Sequence, residues 1–178
     1  GYKVFKQDIL VVDNFFDNFR DIEKAFYQHE FFSKEKYPAD KNEFQGNWPG
    51  FRTQLLNKCN PFLDQLFIQT FLKKIDYNNT RFWVSSYLHS RWKDMKDWIH
   101  KDDVKSQFSG LVYLSPTNLE SGTRFYDDKE NEIADIKFVQ NRFVFFNGNY
   151  NHMSIGNHGT NIENGRLTLN AFFTIDRS

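Results

Sequence analysis

The sequence predicts an α+β, mainly β fold: a β-sandwich or jelly roll with helices packed outside it. Three observations lead there. The apolar period is helical in the first part of the chain and changes to two after about Asn79, which separates a helical opening from a run of strands. Aromatic residues make up 19% of the chain, with Phe occurring 21 times, so a large apolar core can form without covalent staples. A length of 178 residues suits one domain, with 1–79 as a helix and strand support and 80–178 as the β core.

Taken in order, Lys3-Val4-Phe5 and Ile9-Leu10-Val11-Val12 read as extended, and Asp13 or Asn14 can cap the next element. From Asp17 to Phe32 the residues Phe19, Ile22, Ala25, Phe26 and Tyr27 recur at three- and four-residue intervals, which predicts an amphipathic helix. Between Lys34 and Thr53 the residues Pro38, Gly46, Pro49 and Gly50 punctuate the backbone too often for a long element, so 34–53 reads as an ordered loop able to act as a lid. Asn60-Pro61 starts a second helix, whose stripe runs through Phe62, Leu63, Leu66, Phe67, Thr70 and Phe71 to Lys73-Lys74. Strands are expected at Arg81–Tyr87, Ser109–Leu114, Arg142–Phe146 and Arg166–Phe173, separated by Gly, Asn, Asp and Pro clusters.

Charge excludes several classes of partner. Lys+Arg and Asp+Glu both number 23, so no basic field exists to hold nucleic acid or an anionic membrane. A mean hydropathy of −0.69 and the lack of a long apolar run speak against a membrane span, and the first residues lack the apolar centre of a signal peptide. The single cysteine, Cys59, is expected as a small buried apolar group and favours a reducing, cytoplasmic setting. The run Lys93-Asp94-Met95-Lys96-Asp97 reads as a solvated loop, and His29 and His89 carry no motif.

Two of the five histidines stand in informative company. If Trp98-Ile99-His100-Lys101-Asp102 is extended, then Trp98, His100 and Asp102 project to one face. His152 follows the aromatic strand Arg142–Phe146 and an Asn- and Gly-rich turn at 147–151. Brought together, two imidazoles and a carboxylate form a facial triad with open positions opposite, which suits non-haem Fe(II), although the same ligands also bind zinc. Arg166 and Thr168, two apart on the last strand, share a face. An inward arginine calls for a buried anion, and a dicarboxylic acid would supply one.

The ordered set of Tyr87, His100-x-Asp102, Ser-Gly-Leu-Val-Tyr-Leu-Ser (109–115), Ser-Gly-Thr-Arg-Phe (121–125), Phe-Phe-Asn-Gly-Asn-Tyr-Asn-His (145–152) and Arg-Leu-Thr-Leu (166–169) resembles the 2-oxoglutarate/Fe(II)-dependent dioxygenases, in particular the prolyl 4-hydroxylase-like branch. The likeness covers about residues 80–178. It implies a double-stranded β-helix (jelly roll) and oxidative decarboxylation of 2-oxoglutarate to succinate coupled to hydroxylation of a small-molecule or peptide substrate. By the same resemblance, His100, Asp102 and His152 would ligate Fe(II), and Arg166 would pair with the distal carboxylate of 2-oxoglutarate, assisted by Thr168, Tyr113 and Tyr87. O2 would be the oxidant and ascorbate a supporting reductant. Asp102, being a carboxylate, argues against the halogenating variants.

Fourteen positions separate His152 from Arg166, more than is usual in this family, and His158 gives a shorter interval. His152 is preferred because it follows the aromatic strand, whereas His158 sits in a Gly- and Asn-rich turn; the extra residues then form a loop before the last strand. Trp92, Trp98 and Arg124 are expected near the mouth of the site, with Trp48 and Arg52 on the lid, as substrate contacts. The segment Trp48-Pro49-Gly50-Phe51-Arg52 also resembles one found in related oxygenases, and the abundance of Phe, Asn, Lys and Ile suits a bacterial or phage source. The competing expectations are a non-catalytic jelly-roll module binding carbohydrate or peptide, and a cupin-like enzyme using zinc or manganese.

Overall fold

The structure is a computed structural model that describes residues 2–3, 9–38, 47–76, 81–102 and 107–176. Val4 and Phe5 of the first expected strand, and residues 39–46 of the expected lid, lie outside them. The first part of the chain runs β1 (Tyr2–Lys3), β2 (Leu10–Val12), α1 (Phe19–Phe26), a 3-10 turn (Lys34–Lys36), β3 (Phe51–Arg52), α2 (Leu56–Cys59), α3 (Pro61–Lys74) and β4 (Ile75–Asp76). The strands β5 (Arg81–Arg91), β6 (Phe108–Tyr113), β7 (Asn118–Tyr126), β8 (Glu132–Phe138), β9 (Phe143–Asn147), β10 (Asn151–Ile155) and β11 (Arg166–Asp176) complete the chain order. Among the described residues no helix is long and apolar enough to cross a membrane.

Six strands form the major sheet in the order β2-β9-β6-β11-β5-β3, and three form a minor sheet in the order β10-β7-β8; β1 and β4 pair separately. All pairings within the two larger sheets are antiparallel. This is the expected mainly β jelly roll. Its logic is visible in β9, where Phe143, Val144, Phe145 and Phe146 are all buried. Phe143 and Phe145 face the helices, within a cluster that includes Phe67 and Phe71 of α3, while Val144 and Phe146 face the minor sheet, within a cluster that includes Phe125 and Phe138. A strand covered on both faces has no polar side to show, so the period of two disappears from its sequence.

The second expected helix forms as α3, with the Asn60 side chain accepting from the Leu63 amide at 3.1 Å and Lys73 and Lys74 both paired to Asp17. The first is shorter than the expected Asp17–Phe32, because Phe32 exchanges two backbone hydrogen bonds with Arg52 and is drawn out as an extended segment. Neither Asp13 nor Asn14 caps it: Asn18 holds that position, Asp13 pairs with Arg142, and Asn14 turns the chain at φ 53°. Cys59 is exposed rather than buried, since α2 packs through Leu56 and leaves the opposite side to solvent. Sequence pattern does not predict β7, β8 and β10. β8 (Glu-Ile-Ala-Asp-Ile-Lys-Phe) breaks the alternation with three charged residues and is mostly exposed or half-exposed, and β10 (Asn-His-Met-Ser-Ile) lacks a β-branched run, so only pairing with neighbours reveals them.

Phe71 is fully buried, with ring centroids 4.7 Å from Phe173 and 5.3 Å from both Phe82 and Phe145. Phe71→Ala is expected to lower stability by about 3–5 kcal/mol, read as a drop in the urea midpoint with an unchanged slope.

Candidate metal centre

His152 lies on β10, and His100 joins that strand at a single point. The His100 amide donates to the His152 carbonyl at 3.0 Å and the His152 amide to the His100 carbonyl at 2.9 Å. Residues that exchange both bonds across an antiparallel pair sit side by side on one face, and the two rings are 4.4 Å apart between centroids. Asp102, two residues beyond His100, is anchored through its amide to the Gly148 carbonyl at 3.1 Å. Asp102 Oδ1 then lies 3.4 Å from His152 Nε2 and 3.6 Å from His100 Nε2, and one ligand atom from each of the three side chains falls within 4.8 Å of the others.

The hydrogen bonds decide which atoms are available. His100 Nδ1 donates to the Trp98 carbonyl at 2.8 Å and His152 Nδ1 to the Tyr150 carbonyl at 2.9 Å, which places the lone pair of each ring on Nε2. Ser109 donates to Asp102 Oδ2 at 2.5 Å and turns Oδ1 toward the rings. Burial lowers the His100 pKa, and the neighbouring His152 adds to that, so His100 favours its neutral form. For the other two, burial opposes charge but their mutual attraction wins: Asp102 is held below the ordinary carboxylate range and His152 above the ordinary imidazole range. Two nitrogens and one carboxylate oxygen, oriented by hydrogen bonds to their far sides, make a three-ligand face for a divalent transition metal.

The register of β11 carries the site inward. Arg166 stands opposite Arg91, Thr168 opposite His89 and Asn170 opposite Tyr87, so these six side chains form a polar ladder on the inner face. Arg166 is 3% exposed, donates Nη2 to the Gly122 carbonyl at 3.0 Å, and leaves its buried Nε without an acceptor among the described residues. Gly122 itself is packed against β8, where a Cβ would meet the Ile136 carbonyl oxygen at 2.0 Å. Burial lowers the Arg166 pKa to about 10. An interior guanidinium with an unanswered N–H suits an anionic ligand.

Arg52, Tyr87, Arg91, Arg166 and Asn170 line one cavity with the His100, Asp102 and His152 side chains. Thr168 and Tyr113 stand just behind its wall: Thr168 Oγ1 donates to Asn170 Oδ1 at 2.6 Å, and the Tyr113 hydroxyl bonds Thr123 Oγ1 at 2.8 Å. Of the residues expected as substrate contacts, Arg52 reaches the cavity and Trp48 stacks behind it, with the guanidinium carbon 4.3 Å from its ring centre. Trp92 instead stacks on Phe51 at 4.6 Å and donates to Ser90 Oγ, which makes it part of the packing at the sheet edge. Arg124 points away from the site because its neighbour Phe125 points in, and it pairs with Glu132 at 3.2 Å. Trp98 is 48% exposed and lies outside the cavity lining. His158 sits in the loop between β10 and β11, bonded to the Gly156 carbonyl and edge-on to Phe138, apart from the triad.

Arg91, Asp97, Ser109, Thr123 and Asn170 join the site without having been expected there. For Arg91 the signal is present in the sequence, since a period of two continued from Tyr87 puts it on the same face. For Asp97 the solvated-loop expectation is corrected: its side chain is 4% exposed, pairs with Arg91 Nη1 at 2.8 Å and accepts from the Ser154 amide at 2.9 Å. Burial alone would raise its pKa; Arg91 and the Ser154 amide hold it down to about 2. Because the folded value lies below the unfolded value of 3.8, the pair stabilises fully above about pH 4 and its contribution is lost as pH falls toward 2. Asp97→Asn, which strands the buried Arg91 charge, is expected to cost about 3 kcal/mol at pH 7 in urea unfolding, with the gap to the parent narrowing between pH 4 and pH 2.

No family model matches the sequence, and no curated protein matches it. Solved structures do. A Pseudomonas putida prolyl-4-hydroxylase superposes with a TM-score of 0.59 at 14% identity, covering 94% of this chain and 93% of that one. HygX from Streptomyces hygroscopicus, with nickel, 2-oxoglutarate and hygromycin B bound, gives 0.65 at 11% identity over 95% of this chain and 83% of that one. An oxidoreductase of the 2OG-Fe(II) oxygenase family from Burkholderia pseudomallei gives 0.61 at 12% identity over 93% and 84%. The chain therefore has the fold of the 2-oxoglutarate/Fe(II) oxygenases, the prolyl-4-hydroxylase among them.

Proposed function

We propose that this protein is an Fe(II)- and 2-oxoglutarate-dependent dioxygenase of the hydroxylating, prolyl-hydroxylase-like type. The observation that carries the reading is the convergence of two Nε2 lone pairs and one carboxylate oxygen in the same cavity as Arg166, whose buried Nε has no acceptor among the described residues. The residues fit both groups: a three-ligand N,N,O face leaves coordination positions open for a chelating ligand, and an interior guanidinium matches a distal carboxylate. The fold likeness to oxygenases, one of them with 2-oxoglutarate bound, supports it.

In this reading His100, Asp102 and His152 hold the iron, and Arg166 receives the distal carboxylate of 2-oxoglutarate. When bound, iron and cosubstrate supply O2 activation, with succinate and CO2 as coproducts. The chain supplies orientation and charge. Ser109 fixes the Asp102 carboxylate, the Trp98 and Tyr150 carbonyls fix the two rings, and the aromatic walls keep the Arg166 pocket dry. Tyr113 and Thr168 support the pocket through Thr123 and Asn170, and Tyr87 forms its outer wall. Ascorbate would serve to keep the metal ferrous, and the substrate is a small molecule or peptide.

Anaerobic titration of metal-free protein with Fe(II) and then 2-oxoglutarate tests this directly. A saturable visible charge-transfer band is expected, abolished in Asp102→Ala and requiring about 30-fold or more 2-oxoglutarate in Arg166→Ala. Folded protein with excess Fe(II) and no band would overturn the assignment. Retention of tightly bound zinc or manganese in its place would favour the cupin-like alternative.

A further inference from the structure

His100 and Asp102, two of the three side chains of the candidate metal centre, sit on an arm, residues 92–102, that follows β5 and belongs to no strand or helix. Such an arm holds a side chain in one place only where its backbone is tied to something rigid. The bridge between His100 and His152 and the bond from the Asp102 amide to Gly148 tie its far end. Its first half is tied elsewhere, to the loop at 156–165 that accounts for most of the interval between His152 and Arg166.

The Lys93 amide donates to the Gly159 carbonyl at 3.0 Å, and Asn157 Nδ2 donates to the Met95 carbonyl at 2.5 Å. Gly165 packs against Trp92, where a Cβ would meet the ring at 2.6 Å. Asp97 joins the arm to β10, the strand from which the loop leaves: its Oδ2 accepts from the Ser154 amide at 2.9 Å and pairs with Arg91 Nη1 at 2.8 Å. The Ser154 hydroxyl lies 3.2 Å from Asp97 Oδ2 and 3.3 Å from Asn157 Oδ1, so the two anchors meet at one residue. Asp97 also accepts from the Trp98 amide, and the Trp98 carbonyl in turn receives His100 Nδ1 at 2.8 Å.

The loop is stiffened from within. Asn164 Oδ1 accepts from the Thr160 and Asn161 amides at 2.7 and 3.0 Å, and Asn161 Oδ1 accepts from the Glu163 and Asn164 amides at 2.9 and 3.0 Å. These side chains satisfy the backbone as a strand partner would elsewhere. Both ends of the loop run directly into strands, β10 with His152 and β11 with Arg166. A Gly- and Asn-rich turn therefore acts as a fixed support.

We propose that the loop 156–165 is a brace for the metal-ligand arm, with Asn157 and Asp97 as positioning residues that set His100 and Asp102 against His152. The inference rests on the metal-centre reading above. Neither residue supplies a ligand atom. Each fixes the arm a few residues ahead of His100, so that the arm is ordered on folding rather than when a metal binds.

The test is titration of metal-free protein with Co(II), whose visible absorption reports the geometry of its ligands. Asn157→Ala and Asp97→Asn are each expected to weaken Co(II) binding about tenfold or more and to change the shape of the band. Asn157→Asp, equal in size but without the donor to the Met95 carbonyl, is expected to behave as Asn157→Ala does. Phe71→Ala, destabilised from the helix-facing side of the major sheet, separates stability from positioning and is expected to keep the parent affinity and band. Parent-like binding and band in both Asn157 variants, or an equal loss in Phe71→Ala, would overturn the proposal. Absence of Co(II) binding in the parent, or binding that survives undiminished in Asp102→Ala, would instead overturn the metal-centre reading.

Discussion

Two backbone hydrogen bonds, exchanged between His100 and His152, hold the centre of this molecule together. They join a segment with no regular structure of its own to the edge of the minor sheet, and in doing so put both imidazoles on one face. Side-chain atoms alone would not secure that arrangement. Two rings and a carboxylate in a buried cavity attract and repel one another, and burial works against the charged forms. A backbone pair costs no side-chain entropy and leaves both Nε2 atoms uncommitted.

The major sheet tolerates a polar interior because its two faces have separate tasks. The outer face is closed by α3 and the aromatic residues of β9 and β11, a dry packing of rings that supplies most of the apolar burial. The inner face is apolar toward the minor sheet, through Tyr113, Val144 and Phe146, and polar toward β5 and β11. One sheet therefore presents an apolar floor and a ladder of hydrogen-bonding groups side by side. The charge of Arg91 is answered by Asp97, while Arg166 donates to the Gly122 carbonyl and keeps a buried Nε without an acceptor among the described residues, which is the basis for proposing it as the ligand-facing member of the cross-strand pair.

Much of this was legible in local sequence. The helix from Asn60-Pro61, the strands around Arg81, Ser109, Arg142 and Arg166, and the pairing of His100 with Asp102 follow from spacing within a few residues, where backbone geometry alone decides which side chains share a face. The strands β7, β8 and β10 were hidden because half-exposed strands with polar residues look like loops until partners are present. Asp97 was hidden for the same reason: a charged residue in a charged run reads as solvated, and its burial depends on Arg91 and on Ser154, 57 residues away.

The sequence by itself determined the fold class and the identities of His100, Asp102, His152 and Arg166 as chemically distinctive residues, whereas the placing of β2 and β3 from the first part of the chain at the two edges of the major sheet came from pairing. Which of these residues meet, and through which atoms, was decided only by tertiary structure. The register that sets Arg166 against Arg91 and the bridge that sets His100 against His152 join residues 75 and 52 positions apart. Spacing along a chain fixes the direction of neighbouring side chains, but distant ones converge only when whole strands pair, and a shift of one residue would turn each of them to the opposite face.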